Sequence, residues 1–214
     1  MTPSTESLID GLADRLVPLR AKQLERRLAV AVAGGAVVVL SLVIGVVGLR
    51  PDLSSAAGGG DFWAKLVYTG FIAMVALAGA RHLARPEVSN TNLAYFAVPV
   101  CALALLAILE LSRASPDQRN ALIFGISWRE CPVYIAALAL PLLAILLRLF
   151  AGFAPQRPQL TGGVIGIAAG GTTAMLYSLH CPETAMTFLL LWYTAGIAIV
   201  AAIGAIVGPR VLRW

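Results

Sequence analysis

Apolar residues run along this chain in six long blocks, at residues 28–48, 66–84, 93–111, 133–147, 164–179 and 186–207, each bounded by charge, proline or glycine. Blocks approaching 20 apolar residues match the hydrocarbon thickness of a bilayer, so each predicts a transmembrane helix. None alternates with period 2, which argues against a β-barrel. The predicted fold class is all-α: a polytopic bundle of six transmembrane helices with a short amphipathic helix ahead of it. The boundary falls between a head at 1–27 and a transmembrane domain at 28–214. The first block follows a polar head and has no small-residue cleavage site behind it, so it reads as an uncleaved span and not a signal peptide.

Composition sharpens this picture. Of 214 residues, 59% are hydrophobic and 13% charged, about half the charged share of an ordinary soluble domain. After six spans little chain remains for a soluble domain. The net charge of +5 does not indicate direct nucleic-acid binding, because the basic residues are scattered around the apolar blocks and do not form one patch. Their placement instead predicts orientation. Eleven lie in one set of alternate segments (Arg15, Arg20, Lys22, Arg26, Arg27, Arg81, Arg85, Arg148, Arg157, Arg210 and Arg213), against five in the other (Arg50, Lys65, Arg113, Arg119 and Arg129). Positive charge is retained on the cytoplasmic side, so both termini are expected inside. Trp63 and Trp128 near outer ends, with Tyr95 and Trp214 near inner ends, suit interfacial aromatic belts.

The spans look nearly bare of the ionisable groups that transport requires. Glu110 and Arg148 fall at span ends, where snorkelling to the interface accounts for them. Gly162, Gly166 and Gly170 recur every fourth residue, and Gly204 and Gly208 repeat the spacing; such stripes let membrane helices pack closely. This predicts that the fifth and sixth spans engage each other.

Cysteine carries the candidate chemistry. Cys101 sits in the third span as a small apolar residue. Cys131 and Cys181 both map to the outer face, each followed by proline, as if each opened a helix whose amino end would favour thiolate. That predicts an exposed thiol pair in an oxidising compartment. Three readings stand: a structural disulfide, a redox or soft-metal sensing pair, or a catalytic thiol pair. For the second, Cys131, Cys181 and His180 are candidate ligands of a soft metal ion, with Glu130 and Glu183 weaker ones. No cofactor is otherwise required. The C-x-x-C motif of membrane thiol oxidoreductases is absent from the sequence, which makes catalysis the weakest reading.

In the head, Leu8, Ile9, Leu12 and Leu16 share one helical face, while Glu6, Asp10 and Asp14 line another at i, i+4, i+8. This amphipathic helix closes at Pro18. Its acidic half is unsuited to anionic lipid, whereas Leu19 to Arg27 is basic and belongs beside it. So short a helix is marginal alone, and its apolar stripe predicts a protein partner, ahead of a solvated tail or a helix tucked against this protein's own loops.

Several segments carry a resemblance. These are Gly48-Leu49-Arg50-Pro51-Asp52-Leu53, Ser127-Trp128-Arg129-Glu130-Cys131-Pro132, Arg157-Pro158-Gln159-Leu160-Thr161-Gly162, His180-Cys181-Pro182-Glu183 leading to Leu191-Trp192-Tyr193, and Gly208-Pro209-Arg210-Val211-Leu212-Arg213-Trp214. Together they resemble the NrsF family, six-span anti-sigma factors of the bacterial inner membrane that restrain extracytoplasmic-function (ECF) sigma factors. The resemblance covers most of the chain from Leu28. It implies that the head sequesters an ECF sigma factor and that Cys131 and Cys181 report metal or oxidative stress. On that reading Glu6, Leu8, Ile9, Asp10, Leu12, Asp14 and Leu16 are the candidate sigma contacts, helped by the loops around Arg81, His82 and Arg85 or around Arg157. The runner-up is a small membrane transporter or a thiol-active membrane enzyme. Oligomeric state is open, since glycine stripes serve packing within and between chains alike.

Overall fold

The computed structural model describes residues 21–84, 94–153 and 155–213, and every regular element in them is helical. The predicted head contacts Glu6, Leu8, Ile9, Asp10, Leu12, Asp14 and Leu16 lie outside the described residues, as do Arg85 and Trp214. Helix α1 (Ala21–Leu42) runs on into a π-helical turn at Val43–Val47. After the short α2 (Leu53–Ala56) come α3 (Gly60–Leu83), α4 (Ala94–Arg113) and the brief α5 (Pro116–Phe124). Then follow α6 (Glu130–Ala151), α7 (Pro158–Tyr177) and α8 (Met186–Val211), the last with a π-helical turn at Leu189–Tyr193. All except α2 and α5 are long and apolar enough to cross a membrane, so the six predicted spans are present.

Their boundaries differ from the hydropathy blocks in an instructive way. The second span begins at Gly60, six residues before the apolar block, and so takes in Asp61 and Lys65. The fourth runs from Glu130 to Ala151, longer at both ends than its apolar block. A helix continues as long as its backbone bonds are satisfied, whether or not each side chain is apolar. Leu24 and Leu28 of α1 are both in the core, so the helix carrying the first span starts within the head as drawn from sequence.

Helix α7 is the centre of the bundle, packed against α8, α3, α6 and α1. It is the most buried span and the least hydropathic, because its neighbours are protein and close approach matters more there than oiliness. A Cβ on Gly162 would strike the carbonyl oxygen of Gly204 in α8, and one on Gly166 would lie 2.5 Å from Val200 O. A Cβ on Gly208 would stand equally close to Pro158 O, and one on Gly171 would lie 3.0 Å from Ala73 N in α3. The two glycine stripes therefore meet as their spacing predicts. By contrast α4 is peripheral: Val98, Leu105 and Ile108 are exposed on its surface, as a lipid-facing helix requires.

Glu110 departs from the snorkelling expectation. Its carboxylate turns inward to accept hydrogen bonds from Met186 N (3.1 Å), Thr187 N (2.8 Å) and Thr187 Oγ1 (2.7 Å). It thus satisfies amides at the start of α8 that have no partner within the helix, and pins the outer helix α4 to it. Arg148 stays exposed in the last turn of α6.

Candidate functional site: a buried thiol pair

Helix α6 starts, and α7 ends, at the same end of the bundle, and this brings Cys131 and Cys181 together across fifty residues of sequence. Their sulfurs are 3.7 Å apart and neither forms a disulfide here. Contrary to the expectation of an exposed pair, both residues are 0% exposed. The cover is aromatic. Buried Tyr177 and Tyr193 flank the thiols with ring centroids 6.1 Å apart. At the same end of the bundle a second aromatic group forms: Trp128 and Trp192 stand 5.1 Å apart, Phe124 of α5 lies 5.5 Å from Trp128, and Trp192 Nε1 donates to Ile123 O at 2.7 Å.

The local setting of the two cysteines also differs from the helix-opening role both were expected to share. Cys131 is the second residue of α6 and its amide donates to Ser127 O. Cys181 instead follows the carboxyl end of α7, its amide donating to Tyr177 O at 3.1 Å, and α8 does not start until Met186. A carboxyl end does not favour an anion. Its thiol is nevertheless drawn down to about 6, first by the hydrogen bond from Cys131 and then by the charge of Lys65, against an opposing effect of burial. The pair is therefore asymmetric in its surroundings: Lys65 lies on the Cys181 side, so negative charge is favoured on the Cys181 sulfur.

Lys65 is the residue that hydropathy reasoning missed. It was counted among the outer-loop cations, yet it lies inside α3 and is 1% exposed. Its Nζ donates to the carbonyl oxygen of Cys181 at 3.2 Å and stands 5.8 Å from the Tyr193 ring centroid. An ionisable side chain within a span is costly and marks function by default. A lysine just ahead of an apolar block was the available signal.

Three further ties hold the loop that carries Cys181. His180 Nδ1 is 2.9 Å from Gly48 O, Arg50 N donates to Leu179 O at 3.1 Å, and Glu183 accepts from Ile126 N at 2.7 Å. The Arg50 guanidinium, donating to Asp52 at 2.8 and 2.7 Å, holds that carboxylate below its usual range. Gly125 is required where Glu183 arrives: its φ is 52°, and a Cβ there would lie 2.6 Å from the Glu183 carboxylate.

As a metal centre, the site offers two soft sulfur donors. Among the described residues no three His, Cys, Asp or Glu side chains gather in ligating geometry. His180 is occupied by Gly48, and Glu183 by the loop before α6. The donor set fits a soft cation held by sulfur alone and does not fit the three-ligand arrangement that includes His180.

Fold and site together define a class: a polytopic helical membrane protein with a buried, asymmetric thiol pair at one end. The chain belongs to the NrsF family, described as negative regulator of sigma F, which matches residues 12–214. It is 39% identical to the anti-sigma-F factor NrsF of Caulobacter vibrioides, over 98% of this chain and 99% of that protein. It is 36% identical to the probable anti-sigma-F factor NrsF of Azospira oryzae, over the same shares. No solved structure matches it. The family is regulatory and not enzymatic, its function is anti-sigma activity, and its partner is a sigma factor.

Proposed function

We propose that this chain holds an ECF-type sigma factor at the bacterial inner membrane through its cytoplasmic head, and releases it when Cys131 and Cys181 react. The carrying observation is the pair itself: two sulfurs 3.7 Å apart, one beside a buried lysine, in a protein whose family silences sigma factors. Disulfide formation from a thiolate and a thiol would pass two electrons to a two-electron oxidant, release the one remaining thiol proton, and close the sulfurs to about 2.05 Å. The alternative trigger is a soft cation that replaces the thiol protons. Oxidation is favoured, because only the two sulfurs converge.

The orientation inferred from the basic residues places this end outside and the head inside, so the signal must cross the bilayer. The ties described above suggest the route. Lys65 joins the Cys181 loop to α3, and Gly48 and Arg50 join it to the end of α1, while the opposite ends of those helices carry Arg81, His82 and the head. In the resting thiolate form Lys65 faces a negative charge; a disulfide removes that charge and leaves a buried ammonium uncompensated, which is strongly destabilising. A tenfold release of the sigma factor needs about 1.4 kcal/mol of coupling, which such a loss readily supplies.

The test pairs in-cell crosslinking with target transcription. The intact chain should capture a sigma factor, and a version lacking residues 1–17 should not. Leu12→Asp should leave transcription on under all conditions, and Cys131→Ser with Cys181→Ser should leave it off under stress. Unchanged repression by Leu12→Asp removes the head from the contact, and a normal stress response in the double serine variant removes the thiols from the trigger.

A further inference from the structure

Two segments that carry the family resemblance, those around Arg157 and Arg210, take no part in the thiol site. They meet at the opposite end of the bundle, where α7 and α8 leave a lateral groove of about 920 Å³. Leu160, Val164, Ile167 and Ala205 line it, with Arg157 and Arg213 at its mouth. A second recess of about 620 Å³ shares Arg213 and adds Arg210.

The position of the groove selects its occupant. Its wall on α7 runs from Pro158 to Ile167, about 14 Å at 1.5 Å per residue, inside a span. What fills it must therefore tolerate hydrocarbon surroundings. The groove is low-walled because the seam is built from small residues, with Gly163 and Ala201 alongside Ala205. At the mouth, none of Arg157, Arg210 and Arg213 forms an ion pair among the described residues; Arg210 Nη1 donates to Ile206 O at 3.3 Å. Three guanidinium groups that form no ion pair among the described residues, set above an apolar slot, match a phosphate above an acyl chain, since guanidinium forks bind phosphate oxygens in pairs. A zwitterionic headgroup brings its own cation and gains less.

We propose that the groove between α7 and α8 is a binding site for an anionic phospholipid, with an acyl chain along Leu160, Val164 and Ile167 and the phosphate held by Arg157, Arg210 and Arg213. The inference stands apart from the thiol trigger and does not require the loop around Arg157 to touch the sigma factor.

The experiment places a photoreactive benzoylphenylalanine at Ala205 of the full chain, in vesicles of phosphatidylcholine with a minor share of phosphatidylglycerol. A second chain carries the probe at exposed Ile108 of α4 as the bulk-lipid reference. Phosphatidylglycerol adducts at Ala205 should exceed its mole fraction by about tenfold, while Ile108 returns the mole fraction. Arg157→Gln, Arg210→Gln and Arg213→Gln together should abolish the enrichment, and the three lysine counterparts, which keep the charge and the fold, should retain part of it. Adducts at the mole fraction, adducts to a second copy, or adducts to residues 1–20 of the same chain each overturn the proposal.

Discussion

The two ends of this bundle are built on opposite principles. At the thiol end the loops are tied by side-chain and main-chain hydrogen bonds, five aromatics gather around them, and both thiols are buried. At the other end α7 and α8 stay in close contact through Gly162, Gly204 and Gly208 but leave a lateral groove beside their seam, with arginines that form no ion pair among the described residues. On the proposals above, the first end changes state without admitting water freely, and the second meets lipid as a charged surface. The glycine seam of α7 and α8 joins them, and the thiols and the arginines are carried on the same pair of central helices or directly beside them.

The seam is the first place to break the comparison. Gly166→Leu drives a side chain into Val200 O and Ala201 Cα, 2.5 and 2.7 Å from where its Cβ would stand. Overpacking against backbone is expected to cost about 3 kcal/mol or more, abolishing a single folded species in size-exclusion and thermal melts. Next, Glu183→Ala leaves the amides of Ile126 and Ser127 without their acceptor. A loss of about 1–3 kcal/mol should appear as faster maleimide labelling of Cys131, while labelling of exposed Cys101 stays constant.

Smaller still in stability, but sharper for the site, is the pH dependence of Cys181. Its reactive form is the thiolate, populated above about pH 6. The alkylation rate should therefore rise from pH 5 to 7 with a midpoint near 6, and the stability contributed by the lowered thiol should be lost as the pH falls through that value. Cys131→Ser exchanges the thiol donor and should move the midpoint, and Lys65→Met should raise it. Because methionine fills a similar volume without a buried charge, Lys65→Met should leave the melting temperature unchanged or raised. A melt unchanged in Lys65→Met alongside an unshifted midpoint would show that Lys65 does not act on the thiol. Least of all, Glu110→Gln keeps the acceptor shape but not the charge, and should lower stability at the start of α8 by about 1 kcal/mol.

How legible each part was follows from the range of the forces involved. Six spans, the α7/α8 glycine seam and the placing of Cys131 and Cys181 at one end were readable because hydropathy, a four-residue repeat and rare thiols are local in sequence. The errors share one cause. Lys65 was placed outside the bilayer, Glu110 at the interface, Cys181 at a helix amino end and His180 among metal ligands, each from its immediate neighbours. Each is instead governed by a partner far along the chain: Lys65 by Cys181, Glu110 by Thr187, His180 by Gly48.

By itself the sequence determined that this is an all-helical chain with six spans, that its basic residues are unequally shared between alternate segments, and that two Cys-Pro sites stand at span ends. The apolar transfer energy that selects those spans is additive along the chain and needs no knowledge of the fold. Only the tertiary structure decided that the thiols are buried, that one is poised as the anion, and that a lysine stands behind it. Those properties depend on groups brought within a few ångströms across a low-dielectric interior, where the interaction between charges is set by distance in space.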